Sequence, residues 1–220
     1  WGKLFNCGQT CIAPDYALIH SDIYAEFIQE LVLAAKELGS DNLSQLGKIV
    51  NQRQFERLIS YLNLGEIIFG GVHDSVALKI SLTLLENPPL DSPLMNEEIF
   101  GPILPLVQYH NDDELFKILK ANRYPLALYL FSNDQLLNQK ISHEVESGAV
   151  GINNCLYHFI NHNLPFGGVM SSGNGHYHGK YSFEVFTHSK AIVKTSNFPD
   201  LAAKYPPYTK LKLKLLKLLG

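Results

Sequence analysis

Residues 103–153 read ILPLVQYHNDDELFKILKANRYPLALYLFSNDQLLNQKISHEVESGAVGIN. Three apolar runs, ILPLVQY (103–109), LALYLF (126–131) and AVGIN (149–153), have strand length, and the segments between them carry helical spacing. Asn111, followed three residues later by Glu114, makes a capping-box-like start for a helix through Lys120. A second helix is predicted over 133–146 and ends before Gly148. Strand, helix, strand, helix, strand at these lengths is the pattern of βαβ units. The fold class read from it is α/β, a parallel-rich sheet with flanking helices.

The alternation continues upstream. DYALIH (15–20) reads as a buried strand, and Ser21 with Asp22 caps a helix carrying Ile23, Phe27, Leu31 and Leu38 on one face, stopped by Gly39. A further helix is predicted over 51–62, and EIIFGG (66–71) and ALKISLTLL (77–85) read as strands. Pro102 and Pro105 mark where strand pairing is expected to be interrupted. Downstream, residues 154–183 are rich in glycine, histidine and aromatic residues. The segment is too long for an ordinary connection and too apolar for disorder, so an ordered loop lining a site is expected. EVFTHSKAIVKTS (184–196) reads as an exposed strand, and KYPPYTKLKLKLLKLLG (204–220) as a basic, leucine-rich tail.

With 220 residues, 46% of them hydrophobic and 18% charged, and a net charge of −3, the composition is that of a globular protein with a sizeable core. Such a balance does not point to nucleic acid or to an acidic membrane as a partner. Three cysteines, Cys7, Cys11 and Cys155, build no disulfide framework and favour a reducing, cytoplasmic setting. No apolar run reaches membrane-spanning length. The tail is expected to pack on the domain, with a basic surface helix that meets a membrane as the alternative. The opening WGKLFN, without methionine and read as mid-helix, suggests a piece of a longer protein.

Three separated segments carry the chemistry: FNCGQTCIAPDY (5–16), NEEIFGP (96–102) and LPFGGVMSSGNGHYHGKYSFEVFTHSK (164–190). In this order they resemble the nucleophile segment, the cofactor-ribose segment and the C-terminal active-site loop of the aldehyde dehydrogenase superfamily. The wording GQTCIAPDY and HFINHNLPFGG is most similar to the class 3 branch, which acts on fatty or aromatic aldehydes. The resemblance covers about residues 1–195. It implies a catalytic domain over 1–184, an oligomerisation strand over 185–195 and a tail over 196–220, with a Rossmann-like cofactor domain upstream that this sequence lacks. It also implies oxidation of an aldehyde to a carboxylic acid with NAD or NADP, and a homodimer when full length.

Residue by residue, the resemblance assigns Cys11 as nucleophile and leaves Cys7 at a variable position. A thiolate suits the role because it attacks a carbonyl at neutral pH and later leaves as a thioester leaving group. Glu98 and Phe100 align with cofactor contacts; a carboxylate suits a ribose diol because it accepts two hydrogen bonds at once. Phe166 aligns with an aromatic wall beside the aldehyde, Gly167 and Gly168 permit close backbone approach, and Asn153, at a strand end, is expected to orient the loop. Tyr157, Phe159 and Ile160 suit an apolar substrate tail. The pairs His158/His162 and His176/His178 have spacings used by metal sites, but no third ligand accompanies them, so no metal is expected.

Two positions depart from the family pattern. Met170 stands where a small or polar residue is usual, and Leu82 where proline is usual. The family's general-base glutamate, oxyanion-hole asparagine and glycine-bearing cofactor loop belong to the upstream half, so the isolated chain is expected to be inactive. Two other functions stay open on residues alone: a Cys-His hydrolase or acyltransferase using Cys11, and a non-catalytic remnant acting as an interaction domain.

Overall fold

The computed structural model describes residues 1–122, 124–196, 198 and 200–219. They form two separate units, residues 1–186 and 187–220. In chain order the elements of the first unit begin with β1 (Ala17–His20), α1 (Tyr24–Glu37), α2 (Gln52–Tyr61), β2 (Glu66–Phe69), β3 (His73–Asp74), β4 (Lys79–Ile80) and β5 (Thr83–Glu86). They continue with α3 (Pro93–Asn96), β6 (Ile103–Tyr109), α4 (Asp112–Ala121), β7 (Leu128–Leu130), α5 (Gln135–Glu144), β8 (Val150–Ile152), α6 (Tyr157–Ile160) and α7 (Gly179–Phe186). The second unit carries α8 (Lys210–Leu219).

The main sheet has the order β1-β6-β5-β2, with β1 and β5 parallel to β6 and β2 antiparallel to β5. The mixed α/β class and its parallel-rich sheet agree with the sequence reading. The quoted stretch does not, however, stay in one sheet: β7 and β8 form a separate two-stranded parallel pair. Helices α4 and α5 supply the link. Leu115, Phe116 and Leu119 of α4 pack with Ile141 of α5, Leu130 of β7 and the β1/β6 residues Leu18 and Tyr109, so one apolar cluster serves both sheets.

Pro105 is fully buried within the central strand β6, not at an interruption. Its missing N–H is tolerated because β6 pairs with β5 through residues 103–106 and with β1 only from Leu106 onward, so the proline sits where partners change. ALKISLTLL also divides. β4 forms a hairpin with β3, and β5 joins the main sheet, because the Leu82 amide between them donates to the Ser40 carbonyl at 3.0 Å.

Of the face of α1 expected to turn inward, only Leu31 does so. Tyr24, Ile28, Leu31, Val32 and Ala35 pack on the β1/β5/β6 core, whereas Ile23, Phe27 and Leu38 are exposed. Both stripes have helical spacing, and contact with the sheet chooses between them. Asn51 caps α2 by accepting from the Gln54 amide at 3.0 Å, and Asn111 does the same for α4 with Glu114. The WGKLFN opening is a turn leading into a 3-10 segment, Phe5–Gly8, not mid-helix. Helix α7 includes Val185 and Phe186, so the stretch expected as a strand from 184 begins as helix, and residues 187–196 are not assigned to a strand.

Candidate active site

Cys11 lies at the tip of a turn that both of its flanks hold in place. On one side Asn6, Cys7 and Gly8 take left-handed backbone angles. The Gln9 side chain then ties the loop to 48–50, accepting from the Val50 amide at 2.9 Å and donating to the Lys48 carbonyl at 3.1 Å. On the other side the Ala13 amide closes the turn onto the Thr10 carbonyl, and the Tyr129 hydroxyl donates to the Ile12 carbonyl at 2.8 Å. Ile12 itself is buried with Cys155, Leu156 and Phe166.

The two cysteines of the motif are thereby separated in character. Cys7 is buried with its thiol 3.5 Å from the Gly47 carbonyl, and burial pushes that thiol up. Cys11 is exposed, and among the described residues its amide donates no hydrogen bond. An accessible thiol beside an uncommitted N–H is what nucleophilic attack with oxyanion stabilisation requires.

NEEIFGP is pressed against this loop. A Cβ on Gly8 would lie 2.2 Å from the Gly101 carbonyl oxygen, so only glycine, at φ +70°, admits the contact. Asp15 accepts from the Ile99 amide at 3.2 and 3.4 Å. Arg57 of α2 donates to the Glu98 carbonyl at 3.2 Å and the Ile99 carbonyl at 2.6 Å, and is itself held by Gln54 and Tyr61. Tyr61 in turn donates to Glu97, which gives that carboxylate a structural partner. Glu98 is exposed with its carboxylate in no hydrogen bond among the described residues. Burial and then the Asp15 charge push it up, while Lys3 and Arg57 pull it down. Phe100 is half-exposed at φ +51°. An open carboxylate beside an open aromatic ring is a fitting pair for a ribose diol and a flat heterocycle.

Below the loop lies Lys3, 5% exposed, with its ammonium 3.6 Å from Asp15. Burial lowers its pKa from 10.5 to about 8 despite that neighbour. Lys3, Asp15, Arg57 and Tyr129 were not singled out in the sequence. Lys3 and Asp15 stood inside or beside the nucleophile motif, but nothing local marked Arg57 or Tyr129.

Phe166 is 7% exposed and pairs with Tyr177 through two backbone hydrogen bonds of 2.9 and 2.8 Å. Its ring lies between His158 and His178 at centroid distances of 5.9 and 5.7 Å, and His162 stacks on His178 at 4.9 Å. Of the histidines with metal-like spacing, His158, His162 and His178 thus stack in this cluster, and His176 meets Tyr181 edge-on at 5.1 Å. Among the described residues no group of three or more His, Cys, Asp or Glu is placed to hold a metal ion. Tyr157, Phe159 and Ile160 on α6 are exposed, and Phe159 meets the Phe166 ring edge-on at 5.1 Å. Asn153 is bonded to the Ser132 amide and carbonyl, so it joins the ends of β7 and β8. Gly167 and Gly168 each have backbone atoms within 2.3 Å of where a Cβ would stand. Met170 is strained in the left-handed region at φ +51°. An open cavity of about 610 Å³ is lined by Tyr124, Met170, Ser171, Gly173 and Asn174, none of them a candidate site residue.

The three motifs thus meet at Cys11, through Gly8 on Gly101 and through Ile12 on Phe166. Residues 1–192 match the aldehyde dehydrogenase family. The chain is 42% identical over 214 residues to aldehyde dehydrogenase family 3 comG of Dictyostelium discoideum, covering 95% of this chain and 46% of that protein. It is 43% identical over 222 residues to 4,4'-diaponeurosporen-aldehyde dehydrogenase of Staphylococcus aureus, covering 99% of this chain and 48% of that one. A substrate-bound structure of Staphylococcus aureus AldH superposes with a TM-score of 0.91 at 42% identity, covering 99% of this chain and 48% of that chain. The chain spans about half the length of the curated relatives it matches. A match that covers the whole first unit, with relatives above 40% identical over nearly all of the chain, means that this chain belongs to the aldehyde dehydrogenase family.

Proposed function

We propose that this chain is the nucleophile-bearing half of an enzyme that oxidises an aldehyde to a carboxylic acid. The carrying observation is Cys11, exposed, with an uncommitted amide and with both flanks anchored. The Cys11 sulfur attacks the carbonyl carbon; a C–S bond forms, and the carbonyl π pair moves to oxygen. The Cys11 N–H is positioned to donate to that oxyanion, a term worth roughly 3–4 kcal/mol per donor. A bound NAD or NADP would supply the acceptor for the hydride lost from this carbon, and the thioester left on Cys11 would be released as the acid by water. Glu98 would hold the ribose hydroxyls and Phe100 would flank the nicotinamide ring. Phe166, with Tyr157, Phe159 and Ile160, would contain an apolar aldehyde tail, so medium or long aliphatic and aromatic aldehydes are the proposed substrates.

The base that activates the hydrolytic water and the cradle for the cofactor phosphates are assigned to a complementary half, as the half-length coverage of the relatives suggests. The chain alone would then turn over no aldehyde. Residues 187–196 would pair with a second copy in a full-length homodimer. The Cys-His hydrolase alternative gains no base, because no histidine hydrogen-bonds Cys11 among the described residues.

The test joins this chain to the amino-terminal half of the Staphylococcus aureus relative and follows aldehyde-dependent NADH or NADPH formation. Cys11→Ala should abolish turnover and Cys7→Ala should leave most of it. Iodoacetamide should label Cys11 well before Cys7 or Cys155 by mass spectrometry. Equal loss from the two substitutions, or an active Cys11→Ala, overturns the assignment.

A further inference from the structure

Tyr129 enters the site from β7, a strand that carries none of the three motifs, and stands directly opposite Gly151 of β8. A Cβ on Gly151 would lie 3.1 Å from a Tyr129 ring carbon, so glycine leaves the ring its place against the partner strand. From there the hydroxyl donates to the Ile12 carbonyl at 2.8 Å, a contact between residues 117 positions apart. Among the described residues it is the one hydrogen bond that reaches residues 10–14 from outside the nucleophile segment. The others, from the Thr10 hydroxyl to the Phe5 carbonyl and from the Ala13 amide to the Thr10 carbonyl, are internal to it. Burial pushes the Tyr129 phenol up, and the Leu156 amide beside it pulls the other way. Leu156 is itself buried with Ile12 and Phe166 and is held in the left-handed region at φ +68°. The Tyr129 hydroxyl therefore stands where the nucleophile turn meets the start of the aromatic loop.

The turn has two long-range anchors that hold different parts of it. Gln9 fixes the chain before Cys11 to residues 48–50, and Tyr129 fixes the chain after it. Oxyanion stabilisation needs the Cys11 amide and thiol to address one carbonyl group together, and a misplacement of about 1 Å costs on the order of a hundredfold in rate. We infer that Tyr129 is a positioning residue for the nucleophile: acting through the Ile12 carbonyl, its hydroxyl keeps the Cys11 amide aligned with the oxyanion. This role rests on the aldehyde oxidation proposed above.

Tyr129→Phe removes the hydroxyl and keeps the ring, and it is measured in two settings. In the chain joined to the amino-terminal half of the Staphylococcus aureus relative, active sites are counted by iodoacetamide incorporation at Cys11. Per active site, kcat should fall by about ten- to a hundredfold, while KM for the cofactor and for the aldehyde stays within about twofold. In the 220-residue chain by itself, which needs no turnover, hydrogen exchange of the Ala13 amide followed by NMR should quicken on the order of tenfold. Iodoacetamide labelling of the buried Cys7 and Cys155 should stay as slow as in the wild type. Unchanged kcat, or a loss carried by KM instead of kcat, overturns the inference. So does fast labelling of Cys155, which would mean that the hydroxyl holds the core of the loop and not the turn. Unchanged Ala13 exchange refutes the hold of Tyr129 on the turn whatever the turnover shows. A wild-type joined protein without Cys11-dependent turnover refutes the proposed reaction, and with it any role in aligning an oxyanion, even where Ala13 exchange responds as expected.

Discussion

Lys3 offers a prediction whose sign and size both follow from the structure. Its ammonium is buried beneath the nucleophile loop, and its pKa falls from 10.5 to about 8, burial outweighing the attraction of Asp15. In the unfolded chain the side chain keeps its proton up to 10.5, so between pH 8 and 10.5 the unfolded state binds one more proton than the folded state. Stability contributed by this site therefore rises with pH across that window, and the full penalty is present below pH 8. At about 1.4 kcal/mol per pH unit, the span corresponds to about 3 kcal/mol. Lys3→Met removes the titrating group while keeping most of the side-chain volume. Urea unfolding of both proteins, followed by circular dichroism at a series of pH values, gives the difference in stability, in which common groups cancel. That difference should climb in favour of the wild type by about 2–3 kcal/mol from pH 8 to 10.5. A flat difference would refute the reasoning, as would one that falls, since it would mean that Lys3 is hydrated or fully compensated by Asp15.

In the joined, active form, Glu98→Gln keeps the shape of the side chain and the Arg57 contacts to the backbone, but it loses the charge-assisted contact proposed for the ribose. Cofactor KM should rise and kcat should fall several-fold, read from initial rates against NAD and NADP, and unchanged constants would remove Glu98 from the site. Met170→Gly should stabilise the chain by about 0.5–1 kcal/mol in urea midpoints, because glycine relieves the left-handed strain at φ +51°. A loss of stability there would show that the Met170 side chain holds the loop through packing.

Much of this molecule is written in local patterns. Asn51 and Asn111 cap helices from their own side chains, and the apolar runs at 17–20, 103–109 and 150–152 take up strand structure. The segment around Cys11 was assigned as a nucleophile turn by its resemblance to a family motif, a role that thiol chemistry suits. Periodicity and short motifs act over single turns of chain, and within that range the sequence was sufficient.

What it left open depends on contacts between distant residues. The expected face of α1 carried Ile23, Phe27, Leu31 and Leu38, and contact with the sheet kept only Leu31 of these, adding Tyr24, Ile28 and Val32. Pro105 looked like an interruption of strand pairing until the exchange of partners along β6 gave it a place within the central strand. Which of Cys7 and Cys11 faces solvent was decided by residues 47–50 and Tyr129, groups brought from two distant parts of the chain. The hold on Glu98 spans 84 positions from Asp15 to Ile99 and 42 from Arg57 to Ile99. Partners at such separations leave no trace in spacing or composition, because burial and hydrogen-bond geometry bring them together only once the chain has closed.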